Sequence, residues 1–140
     1  MPLKYKLHRD NRIDSDHLFY ARAFHEETIS LDDLAKHMSE HNSPFSYGTI
    51  DGVLKDMVKC IRELLLESKK VKLDNLAIFS LGLHGIGADT AEKFSVSTHI
   101  RSAHINALGT GSFSKKELDT SVRFQEVQEY SKPVSSTSKP

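Results

Sequence analysis

Apolar residues recur at helical spacing in a segment that follows Ser30. Leu31, Leu34 and the apolar positions after them fall three or four residues apart, which places them on one face of a helix. Ser30 is a favourable N-cap, and Asp33 stands at the third helical position as in a capping box. The pattern therefore predicts a short amphipathic helix that ends at His41.

A second and longer helical segment follows. Pro44 separates the two segments, because the residue before a proline resists helical geometry, and Ser46 is a suitable cap for the second. Its apolar positions are Ile50, Val53, Leu54, Met57, Val58, Ile61, Leu64 and Leu65. About twenty residues at a rise of 1.5 Å reach roughly 30 Å, the width of a small domain. A rod of this length in a short chain needs an apolar partner, and a second copy would supply one.

After Lys70 the apolar pattern changes to a period of two. Val71 and Leu73 lead into a turn signal at Asp74-Asn75, and Phe79, Leu81 and Leu83 then alternate with small polar residues. Glycines from position 85 to position 87 predict a hairpin tip. The spacing of Phe94, Val96 and Thr98 predicts that the return strand begins soon after the tip, and a further strand is expected over positions 100–108.

The closing part of this region predicts a short helix. Ser114 and Glu117 have the spacing of a capping box, and apolar residues continue through Val122.

The two ends of the chain lack the helical pattern of the central region. Alternating residues predict strands at positions 3–7, 19–24 and within 120–130, which we expect to pair into a small additional sheet. Positions 131–140 are too polar to pack and are expected to form a disordered tail.

These patterns predict four parts: an N-terminal extension (residues 1–28), a central domain (29–122), a strand that joins the extension (123–130) and the tail (131–140).

The chain has 140 residues, 38% hydrophobic and 27% charged, with 19 Lys and Arg balanced by 19 Asp and Glu. A strongly basic balance would have indicated nucleic acid, so any such surface must come from local segregation of charge. The single Cys60, expected to be packed, fits a reducing cytoplasm. The sequence contains no stretch suited to a signal peptide or a membrane span.

Two motifs suggest chemistry, but each has a simpler explanation. His37-Met-Ser-Glu40-His41 has the H-x-x-E-H form of some zinc peptidases, yet the predicted helix ends there and no third ligand is evident. The glycines between Gly82 and Gly87 are followed by strand-like residues rather than the helix that a phosphate-binding loop requires. We therefore predict no enzymatic activity, no metal, no cofactor and no small-molecule substrate.

The order of the elements resembles that of the bacterial HU and integration host factor family of histone-like proteins. HU and integration host factor belong to the architectural proteins that bind the minor groove of DNA. The similarity rests on this order and on scattered segments, and the closest resemblance is to an HU-related branch with an N-terminal extension. The matching segments are Met1–Leu7 and Tyr20–Arg22 in the extension, the helices around Leu31 and Ile50, the strand and turn of Val71–Phe79, and Lys116-Glu117-Leu118 at the last helix. The resemblance implies an α+β fold that forms an intertwined homodimer, with a projecting hairpin arm on each three-stranded sheet.

This sequence departs from the family in its hairpin. It has no proline between Pro44 and Pro133, so it lacks the wedge with which long-armed members kink DNA, and Asp89 and Glu92 near the tip would repel phosphate. The first turn carries Asp74 and Ala77 where the family has glycines, so its geometry must differ.

The resemblance implies a nucleoid-associated protein that binds duplex DNA in the cytoplasm, with little sequence specificity and weak to moderate, salt-sensitive affinity. The alternative is an HU-fold dimerisation or protein-interaction module that has lost strong DNA binding. The residues expected to contact phosphate are Arg101, His104, Lys93, His99, Lys115, Lys116 and Lys72. Those expected to build the dimer core are Leu54, Met57, Val58, Ile61, Phe79 and Leu81.

Overall fold

A computed structural model describes residues 1–10, 12 and 18–127. The chain separates into two compact units: a terminal unit built from residues 1–28 with residues from 121 onward, and a central unit built from residues 29–120. The described part of the chain is mixed α+β, with four α-helices and two three-stranded sheets. The tail predicted at 131–140 lies outside the described residues. No helix in the described ranges has the length and apolar character that a bilayer crossing would require.

The terminal unit contains one small sheet. Its strands are β1 (Leu3–Arg9), β2 (Phe19–Ala23) and β6 (Phe124–Glu126), in the order β2-β1-β6. The first pair is antiparallel, with Lys6 opposite Arg22, and the second is parallel, with Lys4 opposite Gln125. The strands predicted at both ends of the chain are therefore present and share a sheet.

The two predicted helices of the central unit are confirmed. They are α1 (Leu31–Glu40) and α2 (Tyr47–Leu66), and their N-caps Ser30 and Ser46 each accept a hydrogen bond from the third backbone amide of the helix. Lys55 of α2 joins the helices through an ion pair of 3.1 Å with Asp32 of α1, and it also pairs at 2.8 Å with Asp51 within α2. The hydrogen bond from Lys55 holds the pKa of Asp32 below its ordinary value.

The central sheet follows α2 and has the order β3-β4-β5. Its strands are β3 (Val71–Leu73), β4 (Ala77–Gly85) and β5 (Ile100–Gly109), all antiparallel. Asn75 takes a left-handed conformation (φ 63°) in the predicted turn between β3 and β4, a conformation that asparagine tolerates better than most residues. The helix predicted after Ser114 is also confirmed: α4 (Lys115–Ser121) begins with a hydrogen bond of 3.4 Å from the Glu117 amide to the Ser114 hydroxyl.

The return strand predicted from Phe94 to Thr98 is wrong. The tip of the β4–β5 hairpin instead forms a 3-10 turn (Ala91–Lys93) and a single helical turn, α3 (Val96–His99). Local contacts favour these turns: the Thr90 side chain accepts a hydrogen bond from the Lys93 amide, and the Phe94 ring stacks on His99 with centroids 5.2 Å apart. Three alternating residues are too short a pattern to outweigh such contacts.

Gly111 closes the connection between β5 and α4 with a left-handed conformation that favours glycine. Its φ is +59°, and an added Cβ would collide with Asn75 of the β3–β4 turn. We expect Gly111→Ala to lower the free energy of unfolding by about 1–3 kcal/mol, because left-handed geometry and the collision both oppose a side chain. Gly87→Ala is the matched control, since a Cβ there meets open space. Thermal unfolding of both variants checks this, and equal melting temperatures would contradict it.

Candidate functional site

The central sheet presents two faces of opposite chemistry. Because side chains alternate along a strand, the residues paired across β3, β4 and β5 sort into an apolar and a polar set. The apolar set includes Leu73, Phe79, Leu81 and Ile105, which line an open groove with α2. We call the opposite side of the sheet the polar face. Its residues form four rows across the strands: Lys72, Ile78 and Leu108; Ser80 and Asn106; Gly82 and His104; His84 and Ser102.

Two histidines lie side by side on the polar face. The His84 and His104 rings stack with centroids 4.2 Å apart. Gly82 makes this possible, because a Cβ there would lie 2.7 Å from His104 Nε2 and 2.7 Å from Asn106 Nδ2. His104 Nδ1 is buried and has no hydrogen-bond partner among the described residues. The polar face therefore carries two adjacent imidazole rings, whose ring nitrogens can donate or accept hydrogen bonds.

Charge is segregated within the central unit. Residues 29–120 contain eleven Lys and Arg against twelve Asp and Glu, a formal net charge of −1. Strands β3, β4 and β5 nevertheless contain no Asp or Glu at all, while they carry Lys72, Arg101 and the histidine pair. Six of the twelve acidic residues lie on α1 and α2. The sheet is therefore the part of this unit that an anion would approach with least repulsion.

Arg101 occupies an irregular position at the end of the paired region. The pairing of β4 with β5 shifts between His84 and Gly85, which face Ser102 and Ile100 respectively. Arg101 lies between those two partners and is exposed. Such a bulge redirects a side chain relative to the regular alternation of the strand.

The other predicted phosphate contacts are dispersed. Lys93 ends the 3-10 turn at the hairpin tip, one residue after Glu92. His99 is half-buried, and its Nδ1 lies 3.0 Å from the amide nitrogen of Ser95, so its ring serves the local turn. Lys115 is 89% exposed and pairs with Asp119 at 2.6 Å, whereas the exposed Lys116 follows it on α4. The sheet thus brings together Lys72 and His104 on one face, with Arg101 at its end, but the structure does not gather all seven predicted residues.

The H-x-x-E-H motif forms no evident metal centre. The rings of His37 and His41 lie 4.5 Å apart at the end of α1, and His41 is the C-cap of that helix. Within the described ranges, no three His, Cys, Asp or Glu side chains converge as metal ligands.

Comparison with known proteins identifies the family. A family model described as HU-HIG, an HU domain fused to a wHTH, Ig or glycine-rich motif, matches residues 1–126. The chain belongs to the HU-HIG family. Its fold is also similar to the crystal structure of a presumed bacterial DNA-binding protein from Bacteroides vulgatus, with a TM-score of 0.65 and 14% sequence identity. That similarity covers 89% of this chain and 47% of the other, so this chain spans about half the length of that structure. No curated protein sequence is significantly similar to this chain.

The sequence alone did not identify every residue that this HU-HIG chain places on the polar face. His84 and Asn106 were not among the predicted contact residues. The alternation of β4 was visible in the sequence, but which of its faces meets His104 depends on the register with β5. That register is set by the length and helical turns of the hairpin tip, which the residue pattern did not reveal.

The apolar groove of the HU-HIG chain contains five of the six predicted dimer-core residues. Its volume is about 400 Å³, and its lining includes Met57, Val58, Ile61, Phe79 and Leu81. Leu54 instead lines a separate apolar hollow. The groove is open in the single chain, where Val58 remains 50% exposed and Ile105 62% exposed. Cys60, expected to be packed, is also exposed in the single chain.

Proposed function

We propose that this protein is a non-enzymatic, HU-like DNA-binding protein of the bacterial nucleoid. It acts as a homodimer in the cytoplasm and contacts the phosphates of duplex DNA with little sequence specificity and weak to moderate affinity. The observation that carries this proposal is the central sheet, whose three strands hold cations and histidines but no carboxylate. Membership of the HU-HIG family and the similarity to a presumed DNA-binding protein support it.

The proposed homodimer follows from the apolar surface of the single chain. In the described part of the central unit, the buried hydrophobic residues are Ala35, Ile50, Leu65 and Ala77. Larger side chains on α2 and the sheet, among them Val58, Leu81 and Ile105, stay 40–62% exposed. A contiguous apolar surface of this kind is costly in water and marks an interaction site. A second copy would cover the groove with its own α2 and sheet, as the family resemblance implies.

Arg101, Lys116, Lys115, Lys93 and Lys72 are the cations that we propose contact phosphate, with His104 and His99 as further donors. Phosphate contacts release counterions, so affinity falls as salt is added and carries little sequence information. Asp89 and Glu92 near the hairpin tip limit the strength of this binding. The tip contains no proline to insert between base steps, so we propose little sharp kinking.

The salt dependence of duplex binding tests this proposal. If each chain of the proposed dimer contacts about four or five phosphates, the logarithm of the association constant should fall with the logarithm of the salt concentration with a slope of roughly −8. Fluorescence anisotropy with short duplexes of unrelated sequence, between about 50 and 200 mM salt, measures it. Absence of binding even at the low-salt end would overturn the proposal.

The second candidate function is an HU-fold dimerisation or protein-interaction module. It is favoured by the net charge of −1 on the central unit and by the acidic residues near the hairpin tip. A dimer that binds no duplex at low salt would support this second function over the first.

A further inference from the structure

The two stacked histidines of the polar face form an aromatic surface, which we call the histidine platform. The rings of His84 on β4 and His104 on β5 have centroids 4.2 Å apart and planes inclined by 29°. His104 and Asn106 occupy the space that a side chain at Gly82 would need, since a Cβ there would lie 2.7 Å from a nitrogen of each. The platform is therefore positioned by the register of two strands, which hold a site more precisely than a loop does.

His84 is the accessible member of the histidine platform. His84 is exposed, whereas His104 is half-buried. Among the described residues, His104 is the only aromatic residue that stacks on the His84 ring. An imidazole has two ring faces, so the second face of His84 can accept another planar group. The proposed second copy packs in the apolar groove on the other side of the sheet, so it would not cover His84.

The surroundings of the histidine platform suit a nucleobase better than a simple anion. Ser102 is paired with His84, and Ser80 is paired with Asn106, so hydroxyl and amide groups lie on the same face as the rings. These groups can donate and accept hydrogen bonds, as the edges of bases do. Arg101 adjoins Ser102 and is exposed, and the three strands carry no carboxylate. A phosphate beside a stacked base would therefore meet a cation.

An intact duplex cannot use the second face of the His84 ring. In a double helix each base already stacks on its neighbours, so the faces of its ring are covered. An unpaired base presents a free face, and aromatic side chains, histidine included, stack on such bases in proteins that bind single strands. Stacking of this kind needs no charge on the imidazole, which separates it from contact with phosphate.

We propose that the polar face also binds single-stranded DNA, with an unpaired base stacked on His84. This activity goes beyond the proposed function, because it depends on bases rather than on the phosphates of a duplex. Arg101 contacts the phosphate next to the stacked base, and the histidine platform gives the protein a preference for strands that carry bases. The stacking tolerates any base sequence, since every base has a ring face.

The test compares two single strands of about twelve nucleotides, one with thymine bases and one abasic, which carry the same number of phosphates. Fluorescence anisotropy with the full-length protein at low salt should show roughly tenfold tighter binding of the thymine strand. His84→Ala should remove most of this preference, whereas His84→Phe, which keeps an aromatic ring, should retain it. Thermal melting shows whether each variant is folded.

His37→Ala is the matched control for His84→Ala. His37 is also exposed and its ring also lies against a second histidine ring, but it belongs to α1. We expect this variant to keep the preference of the original chain for the thymine strand. An equal loss of preference in both variants would overturn the inference, because the effect would then not depend on the histidine platform.

The remaining outcomes distinguish this inference from the proposed function. Equal affinity for the two strands, or binding of neither, would overturn the inference, and so would a preference that His84→Ala retains. In each of these cases, salt-dependent binding of a duplex would still support the proposed function. A preference for the thymine strand that depends on His84, without any binding of duplex DNA at low salt, would support the inference and overturn the proposed function.

Discussion

Val58→Glu is expected to convert the proposed dimer into a destabilised monomer. In the single chain Val58 is 50% exposed, so a glutamate there would cost little if the chain were monomeric. In the proposed dimer the same position lies in the apolar groove of α2 and the central sheet, where a carboxylate would be buried without a partner. We expect a loss of about 3 kcal/mol or more in the free energy of unfolding, because the charge must be desolvated or neutralised.

Val96→Glu supplies the matched control for this variant. Val96 is 68% exposed and begins the helical turn at the hairpin tip, where an acidic residue is tolerated. Light scattering should show the dimer mass for the original chain and for Val96→Glu, and half that mass or unfolded protein for Val58→Glu. A stable dimer of Val58→Glu would show that the apolar groove is not part of the interface, and it would contradict the proposed assembly.

Reversing charge at Arg101 and Lys116 is expected to have the largest effect on DNA binding. The pair Arg101→Glu with Lys116→Glu replaces two attractive phosphate contacts on each chain by repulsive ones. We expect low-salt affinity for duplex DNA to fall by about a hundredfold or more, equivalent to about 2.8 kcal/mol. Both residues are exposed and lie outside the apolar groove, so light scattering should show that the dimer remains.

Lys36→Glu with Lys59→Glu is the appropriate control, since it changes the net charge equally. Both control residues lie on α1 and α2, whereas Arg101 lies on β5 and Lys116 on α4. If the two reversed pairs weaken binding by the same factor, the interaction depends on overall charge and the proposed contact residues are wrong. If only the first pair weakens binding, the contact surface includes β5 or α4.

The sequence predicted those elements whose signals are local. Ser30, Ser46 and Ser114 each cap a helix as expected, because a cap depends on residues within one turn of it. The turn at Asn75 was similarly recognisable. The helical turns between Ala91 and His99 were not, since the Thr90 cap and the stacking of Phe94 on His99 oppose the extended conformation that the alternating residues favour.

The candidate site was less predictable because it depends on contacts between distant residues. Arg101 and His104 were identified individually, but the stacking of His84 on His104 depends on strand register. Register arises from the whole hairpin and sheet, and a shift of one residue would move every side chain to the other face. The exposure of Cys60 has a related cause, since helical spacing alone did not reveal which side of α2 the single chain covers.

The separation of acidic helices from a carboxylate-free sheet has a consequence for how the central unit meets a polyanion. Helices α1 and α2 carry six acidic and four basic residues, a net charge of −2, whereas the three strands carry two cations and no acid, so the central unit has an electric dipole moment although its charges nearly cancel. In the electric field near a DNA duplex, such a dipole experiences a torque that turns its positive side toward the DNA before contact. Rotational alignment of this kind can speed productive encounters without the overall positive charge that makes many proteins adhere to any acidic surface in the cell.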